Sequence, residues 1–134
     1  MESLVQGSRI GKDSLNFLIY GRYKSDQPDV TFPYTPAWIK YDVGFIHPVT
    51  NQFMNIGSRN RLPNFLDTGK FQPNFIVGDD WKPGIYEVRW HYRVTESSVT
   101  NMTSVQFSIV ASGMAQPQLV MENHVDIRAY LILD

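Results

Sequence analysis

The 134-residue chain contains no cysteine, which removes thiol nucleophiles, Cys-based zinc sites and disulfide staples together. Small extracellular domains usually depend on disulfides, so this absence predicts a protein made and folded in a reducing cytoplasm. An excess of charge of one sign is also missing. Against 12 Lys and Arg stand 13 Asp and Glu, a formal net charge of −1, and the cations are scattered along the chain. Without a long-range positive field, a primary role on nucleic acid or on an anionic membrane is not expected. No apolar run approaches membrane-spanning length, and Met1-Glu2-Ser3-Leu4-Val5 lacks the basic start and apolar stretch of a secretory signal.

Enzyme signatures are absent as well. The sequence holds no Gly-x-Ser-x-Gly elbow, no P-loop and no dinucleotide-binding glycine pattern, so no catalytic residue and no cofactor is expected. His47, His91 and His124 belong to no metal-ligand motif, and a zinc site would need the fold to gather them. His91 more simply lies on a polar strand face beside Arg89 and Arg93. The adjacent carboxylates Asp79 and Asp80 would suit acid–base work or a divalent cation, but neighbours in an extended segment point apart, which favours a solvated turn. Asn101-Met102-Thr103 fits a glycosylation sequon, and without a signal peptide it is expected to stay unmodified.

What the chain does have is 43% hydrophobic residues, with aromatic residues making up 13% of the whole chain, and length for one domain. Residues 1–13, with Gly7, Ser8, Gly11 and Lys12, show no sustained period and read as a flexible N-terminal arm preceding a domain over 14–134. Ser14 to Tyr20 is dense in strand formers and is closed by Gly21. Pro28, Pro33 and Pro36 then bar a helix or a central strand. From Ala37 to Val43, apolar residues alternate with Trp38, Lys40 and Asp42. A weak strand is expected around Phe53 to Ile56, an exposed loop over Ser58 to Asn64, and an edge or bulged run carrying Phe71, Pro73, Phe75 and Val77.

Ile85 to Val94 gives the strongest pattern. Tyr86, Val88, Trp90, Tyr92 and Val94 alternate with Glu87, Arg89, His91 and Arg93, the signature of an antiparallel strand with one wet face. Val105, Phe107, Ile109 and Ala111 repeat it, so the two segments are expected to form a hairpin. After the break at Gly113 to Pro117, the alternation of Val125, Ile127, Ala129, Leu131 and Leu133 favours a final strand over a helix. The chain is therefore expected to be all-β.

Pro83-Gly84 makes a turn directly before that strongest strand, and Tyr86 enters just inside it. This stretch resembles the tyrosine corner of immunoglobulin-like domains, with Val88 where antibody-type domains place their second cysteine. Together with Gly69-Lys70-Phe71, Trp81 to Gly84 and Val88 to Trp90, it resembles the cysteine-free immunoglobulin-like modules of tailed-phage virion proteins over roughly residues 36–111. The resemblance implies an immunoglobulin-like antiparallel β-sandwich. It also implies a non-enzymatic structural protein of the virion, made in the host cytoplasm: a capsid decoration, head-to-tail or tail accessory protein that binds other virion proteins in many copies.

The surplus of aromatic residues points to partner surfaces. Trp38 falls on the polar face of its strand, and Tyr34, Phe45 and Phe53 lie near Pro- and Gly-rich loops, where exposed rings serve as interface anchors. Arg59 and Arg61, with Lys70 nearby, add a basic loop whose contacts with phosphate are the less favoured use, as is base stacking by Trp38, Trp81 and Trp90. A carbohydrate- or surface-binding module, with Trp38 and tyrosines stacking on sugar rings, is the alternative. A small β-barrel enzyme would instead require a concave pocket.

Overall fold

The computed structural model describes residues 2–10, 15–23, 31–111 and 125–131. The breaks at Pro28 and at Gly113 to Pro117, and His124, lie outside these. Ten strands and no helix occur among the described residues: β1 (Glu2–Val5), β2 (Phe17–Tyr23), β3 (Thr31–Pro33), β4 (Trp38–Ile46), β5 (Phe53–Asn55), β6 (Asn64–Asp67), β7 (Lys70–Gln72), β8 (Gly84–Arg93), β9 (Asn101–Val110) and β10 (Val125–Leu131). They form two sheets packed as a sandwich. One has the order β1-β9-β8-β4-β5 and the other β10-β2-β7-β6, with β3 also on β2.

The first sheet is built around β8. Its alternation sends Tyr86, Val88, Trp90 and Tyr92 inward, where they are buried. β9 lies antiparallel beside it with Val88 opposite Val105 and Tyr86 opposite Phe107. On the other side β4 is antiparallel, with Tyr41 opposite Trp90 and Val43 opposite Val88. Facing them across the core are Phe17 and Ile19 from β2, together with Phe71, Phe75 and Val77.

Rings knit the two layers. Phe17 stacks on Trp90 at 5.0 Å, and Tyr41 leans on Trp90 at 5.3 Å and on Phe75 at 6.4 Å between centroids. Phe75, Trp81, Tyr86 and Phe107 stack in a chain of contacts between 5.4 and 5.7 Å. Such pairs contribute about 0.5–1.5 kcal/mol each beyond area burial, so much of the aromatic surplus is used inside.

Several expectations are corrected in detail. The sandwich is not wholly antiparallel: β1 runs parallel to β9, and β10 runs parallel to β2. Both are strands near the chain ends, remote in sequence from the strands they flank, so no hairpin turn dictates their direction. Within the segment read as an arm, Glu2–Val5 forms β1, and Leu4 is buried in the core. Four residues span too few periods for the alternation to show. The following residues are tied down too, since the Gln6 side chain donates to the Trp81 carbonyl at 2.7 Å and Val77 N–H donates to the Ser8 carbonyl at 3.2 Å.

Gly21 does not close its strand but lies inside β2. A Cβ there would come within 2.9 Å of the Phe32 ring, so the missing side chain lets β3 pack across it. The loop expected over 58–64 ends in strand β6, which pairs with β7 across a bulge between Phe65 and Asp67. The aromatic run from Phe71 keeps its buried residues but is strand only as far as Gln72, with Pro73 just beyond.

Candidate functional site

The outward face of the β9-β8-β4-β5 sheet carries the most organised polar chemistry. By the register of β4 with β8, Trp38 lies opposite Arg93, Lys40 opposite His91, Asp42 opposite Arg89 and Gly44 opposite Glu87. All of these alternate with the core residues, which is why the same period that builds the interior also builds this face.

Its rings and cations hold one another. Over the Trp38 ring lie the Lys40 ammonium at 5.0 Å and the Arg93 guanidinium at 5.1 Å. The Arg89 guanidinium lies 3.9 Å from the centre of Phe53, delivered by β5. Cation–π contacts of this kind are worth about 0.5–1 kcal/mol each when exposed. Arg93 Nε also donates to Thr100 Oγ1 at 2.9 Å.

Beneath these cations the carboxylates are withdrawn. Asp42 and Glu87 are each only 8% exposed. Glu87 Oε2 accepts from Arg89 Nε at 2.6 Å, and its Oε1 accepts from Gln106 at 3.3 Å. Asp42 Oδ2 lies 3.0 Å from His91 Nε2, while Oδ1 accepts the Asn60 backbone N–H at 2.6 Å. The second bond ties the 57–61 loop to the sheet; Asn60 itself adopts φ 54°. Asp42 therefore anchors a loop and a histidine at once.

At the end of this face where β8 begins there is an open depression of about 430 Å³, lined among others by Ile46, Pro48, Pro83, Ile85 and Gln106. The corner behind it is fixed by Tyr86. Its hydroxyl donates to the Lys82 carbonyl at 2.8 Å, and its ring packs on Trp81 at 5.4 Å and Phe45 at 5.2 Å. Burial, and then the Asp80 carboxylate, push this hydroxyl's pKa above the usual tyrosine value. Pro83 is exposed, and Gly84 opens the strand.

The residues read as interface candidates separate into two groups. Trp38 and Phe53 lie on the outward face, and Arg59 sits exposed on the loop that Asp42 holds. Of the others, Phe45 lines the depression at the end of this face, while Tyr34 and Arg61 are engaged elsewhere. Tyr34 donates its hydroxyl to the Val94 carbonyl at 2.7 Å and packs against the core. Phe45 packs against Tyr86, and Arg61 spends its guanidinium on the Ile56 and Ser58 carbonyls. Lys40, Arg89 and Arg93 were not singled out as interface residues; the polar half of the alternation in 38–42 and 87–93 was the available signal.

Other sequence candidates disperse. His47 caps the β4–β5 turn, its Nδ1 accepting from the Val49 and Thr50 amides at 3.2 Å. Asp79 and Asp80 are exposed in the turn before Trp81. No group of three or more His, Asp or Glu that could hold a metal ion occurs among the described residues. A second exposed apolar region lies on the opposite sheet, where edge strand β6 is exposed throughout and Phe65 is 61% accessible.

Comparison with known proteins gives no family model, no curated protein and no solved structure that matches the chain.

Proposed function

We propose that this chain is a non-enzymatic binding module of immunoglobulin-like fold, a structural protein of a tailed-phage virion that engages other virion proteins through the outward face of β9-β8-β4-β5. The observation that carries the binding role is the locked set of Trp38, Lys40 and Arg93 with Phe53 and Arg89 on a solvent-facing sheet. Trp and Arg dominate the energetics of protein interfaces, and side chains already held in place lose less entropy on binding.

Support for the immunoglobulin-like reading comes from strand order. β9-β8-β4-β5 follows the G-F-C-C′ order of a variable-type sheet, and β2-β7-β6 follows B-E-D. Tyr86, near the start of the F-equivalent strand, sends its hydroxyl to the backbone four residues upstream, as a tyrosine corner does. The departure is β10, which runs parallel to β2 where an A strand would run antiparallel. The virion setting rests on the resemblance carried by Gly69 to Phe71, Trp81 to Gly84 and Val88 to Trp90. Sugar stacking is less favoured than protein binding because cations already lie over the Trp38 and Phe53 rings.

Rate-zonal sedimentation of extracts from the producing cells, followed by cross-linking through Lys40, tests this role. The proposal expects the chain in the particle fraction with cross-links to another particle protein. A chain found only as a free monomer contradicts it.

A further inference from the structure

The proposed binding face has two chemically different ends. At one, Lys40 and Arg93 flank Trp38, and the loop that carries the exposed Arg59 is held at Asp42, midway along β4. None of these three cations pairs with a carboxylate among the described residues; the ion pairs there are Arg89 with Glu87 and His91 with Asp42. The face's own carboxylates are buried beneath it, so what it presents outward is positive, on a chain whose formal net charge is −1. At the other end lies the depression of about 430 Å³ beside Ile46, Pro83 and Ile85.

Both ends sit along β8, which runs from Gly84 to Arg93. Ile85 and Arg93 both point outward on it, and at about 3.3 Å per residue they are about 26 Å apart. That is the reach of an extended segment of roughly eight residues.

We infer that the occupant is an acidic segment of a partner protein, carrying an apolar side chain that enters the depression and carboxylates that meet Lys40, Arg93 and Arg59. The inference rests on the binding role proposed above and specifies its partner. Charge complementarity selects an anion, and the rings select which kind. Single-stranded nucleic acid binds by stacking bases on open aromatic faces. Here two cations already lie over Trp38, and Arg89 is 3.9 Å from the centre of Phe53. Carboxylates need only N–H groups, and apart from the Arg93 Nε bond to Thr100 neither Lys40 nor Arg93 makes a side-chain hydrogen bond among the described residues.

The test uses the whole chain and three labelled probes followed by fluorescence anisotropy. The first is a ten-residue peptide with Phe at one end, a Gly-Ser spacer and three Glu at the other, made in both directions. The second replaces its Phe by Gly, and the third is an oligothymidine of equal charge. The first peptide, in one direction, is expected to bind most tightly. Replacing its Phe, or introducing Ile85→Ser, weakens binding from the apolar end. Lys40→Gln with Arg93→Gln weakens it about fivefold from the other, as expected for two exposed ion pairs together worth about 1 kcal/mol. Raising salt from about 50 to about 300 mM weakens it further. Arg59→Gln, on an exposed loop, gives a smaller loss that cannot come from misfolding.

Binding of the acidic peptide that ignores all of these substitutions overturns the inference, as does tighter binding of the oligothymidine or no peptide binding at all. A chain that sediments with particles yet ignores the peptides overturns the inference alone and leaves the binding role standing.

Discussion

Replacing Tyr86 by Phe removes one hydroxyl and leaves the ring where Trp81, Phe45 and Phe107 hold it. The lost group is the donor to the Lys82 carbonyl at 2.8 Å. Lys82 is exposed, so its carbonyl recovers a bond from water and no buried acceptor is orphaned. The cost is therefore that of one ordinary hydrogen bond, about 1 kcal/mol. For 134 residues, an unfolding entropy of about 2.1 cal/mol/K per residue gives about 0.28 kcal/mol/K, so Tm should fall by about 3–4 °C. Tyr92 supplies the control. It is buried on the same strand, but its hydroxyl makes no hydrogen bond among the described residues, so Tyr92→Phe should shift Tm by less than about 1 °C. Differential scanning calorimetry of both variants decides the matter. Equal, negligible shifts for the two would refute the claim that the Tyr86 hydroxyl holds the corner.

The buried side chains support further expectations. Leu4→Ala should cost about 2–4 kcal/mol in a urea titration, because Leu4 belongs to the core despite lying in the first strand; a cost below about 0.5 kcal/mol would show that β1 contributes nothing to the fold. A Cβ on Gly44 would lie 2.5 Å from the Phe53 ring and 2.8 Å from the Met54 carbonyl, so Gly44→Ala should displace β5 and separate Phe53 from Arg89, visible as changed ring-proton shifts of Phe53. Asp42→Ala removes the acceptor for Asn60 N–H and the partner of His91, and should cost about 1–3 kcal/mol while speeding amide exchange over residues 57–61. Burial raises the pKa values of Tyr41, Tyr86 and Tyr92 above 10.0. The unfolded chain then releases these protons first, so stability is unaffected below pH 10 and falls as pH rises beyond it; Tyr92→Phe should lessen that alkaline loss.

The longest strands were the legible ones. Ile85 to Val94 alternates through several full periods and corresponds to β8, and the outward set of Trp38, Lys40 and Asp42 was likewise visible in β4. The short strands were not: β1, β3 and β6 have three or four residues each, at most two periods, and two of them sit among residues that punctuate loops. Nor does a single sequence state which strands become neighbours. That Trp38 faces Arg93, and that Asp42 reaches His91, follows from cross-strand register between segments about fifty residues apart. The polar half of each pattern was readable, while the interlocked face appears only when the two halves are paired. Tyr34 shows the opposite case, since a ring beside Pro-rich turns was read as a surface anchor but is drawn against the core.

The most direct test of the proposed binding face is hydrogen exchange of the free chain compared with the same chain in the particle fraction that the proposed role expects. Added protection is expected at the side of the sandwich formed by residues 38–42 and 87–93, together with the 57–61 loop. Protection confined to Asn64–Asp67 and its neighbours on the other sheet, with 38–42 and 87–93 unchanged, would contradict it.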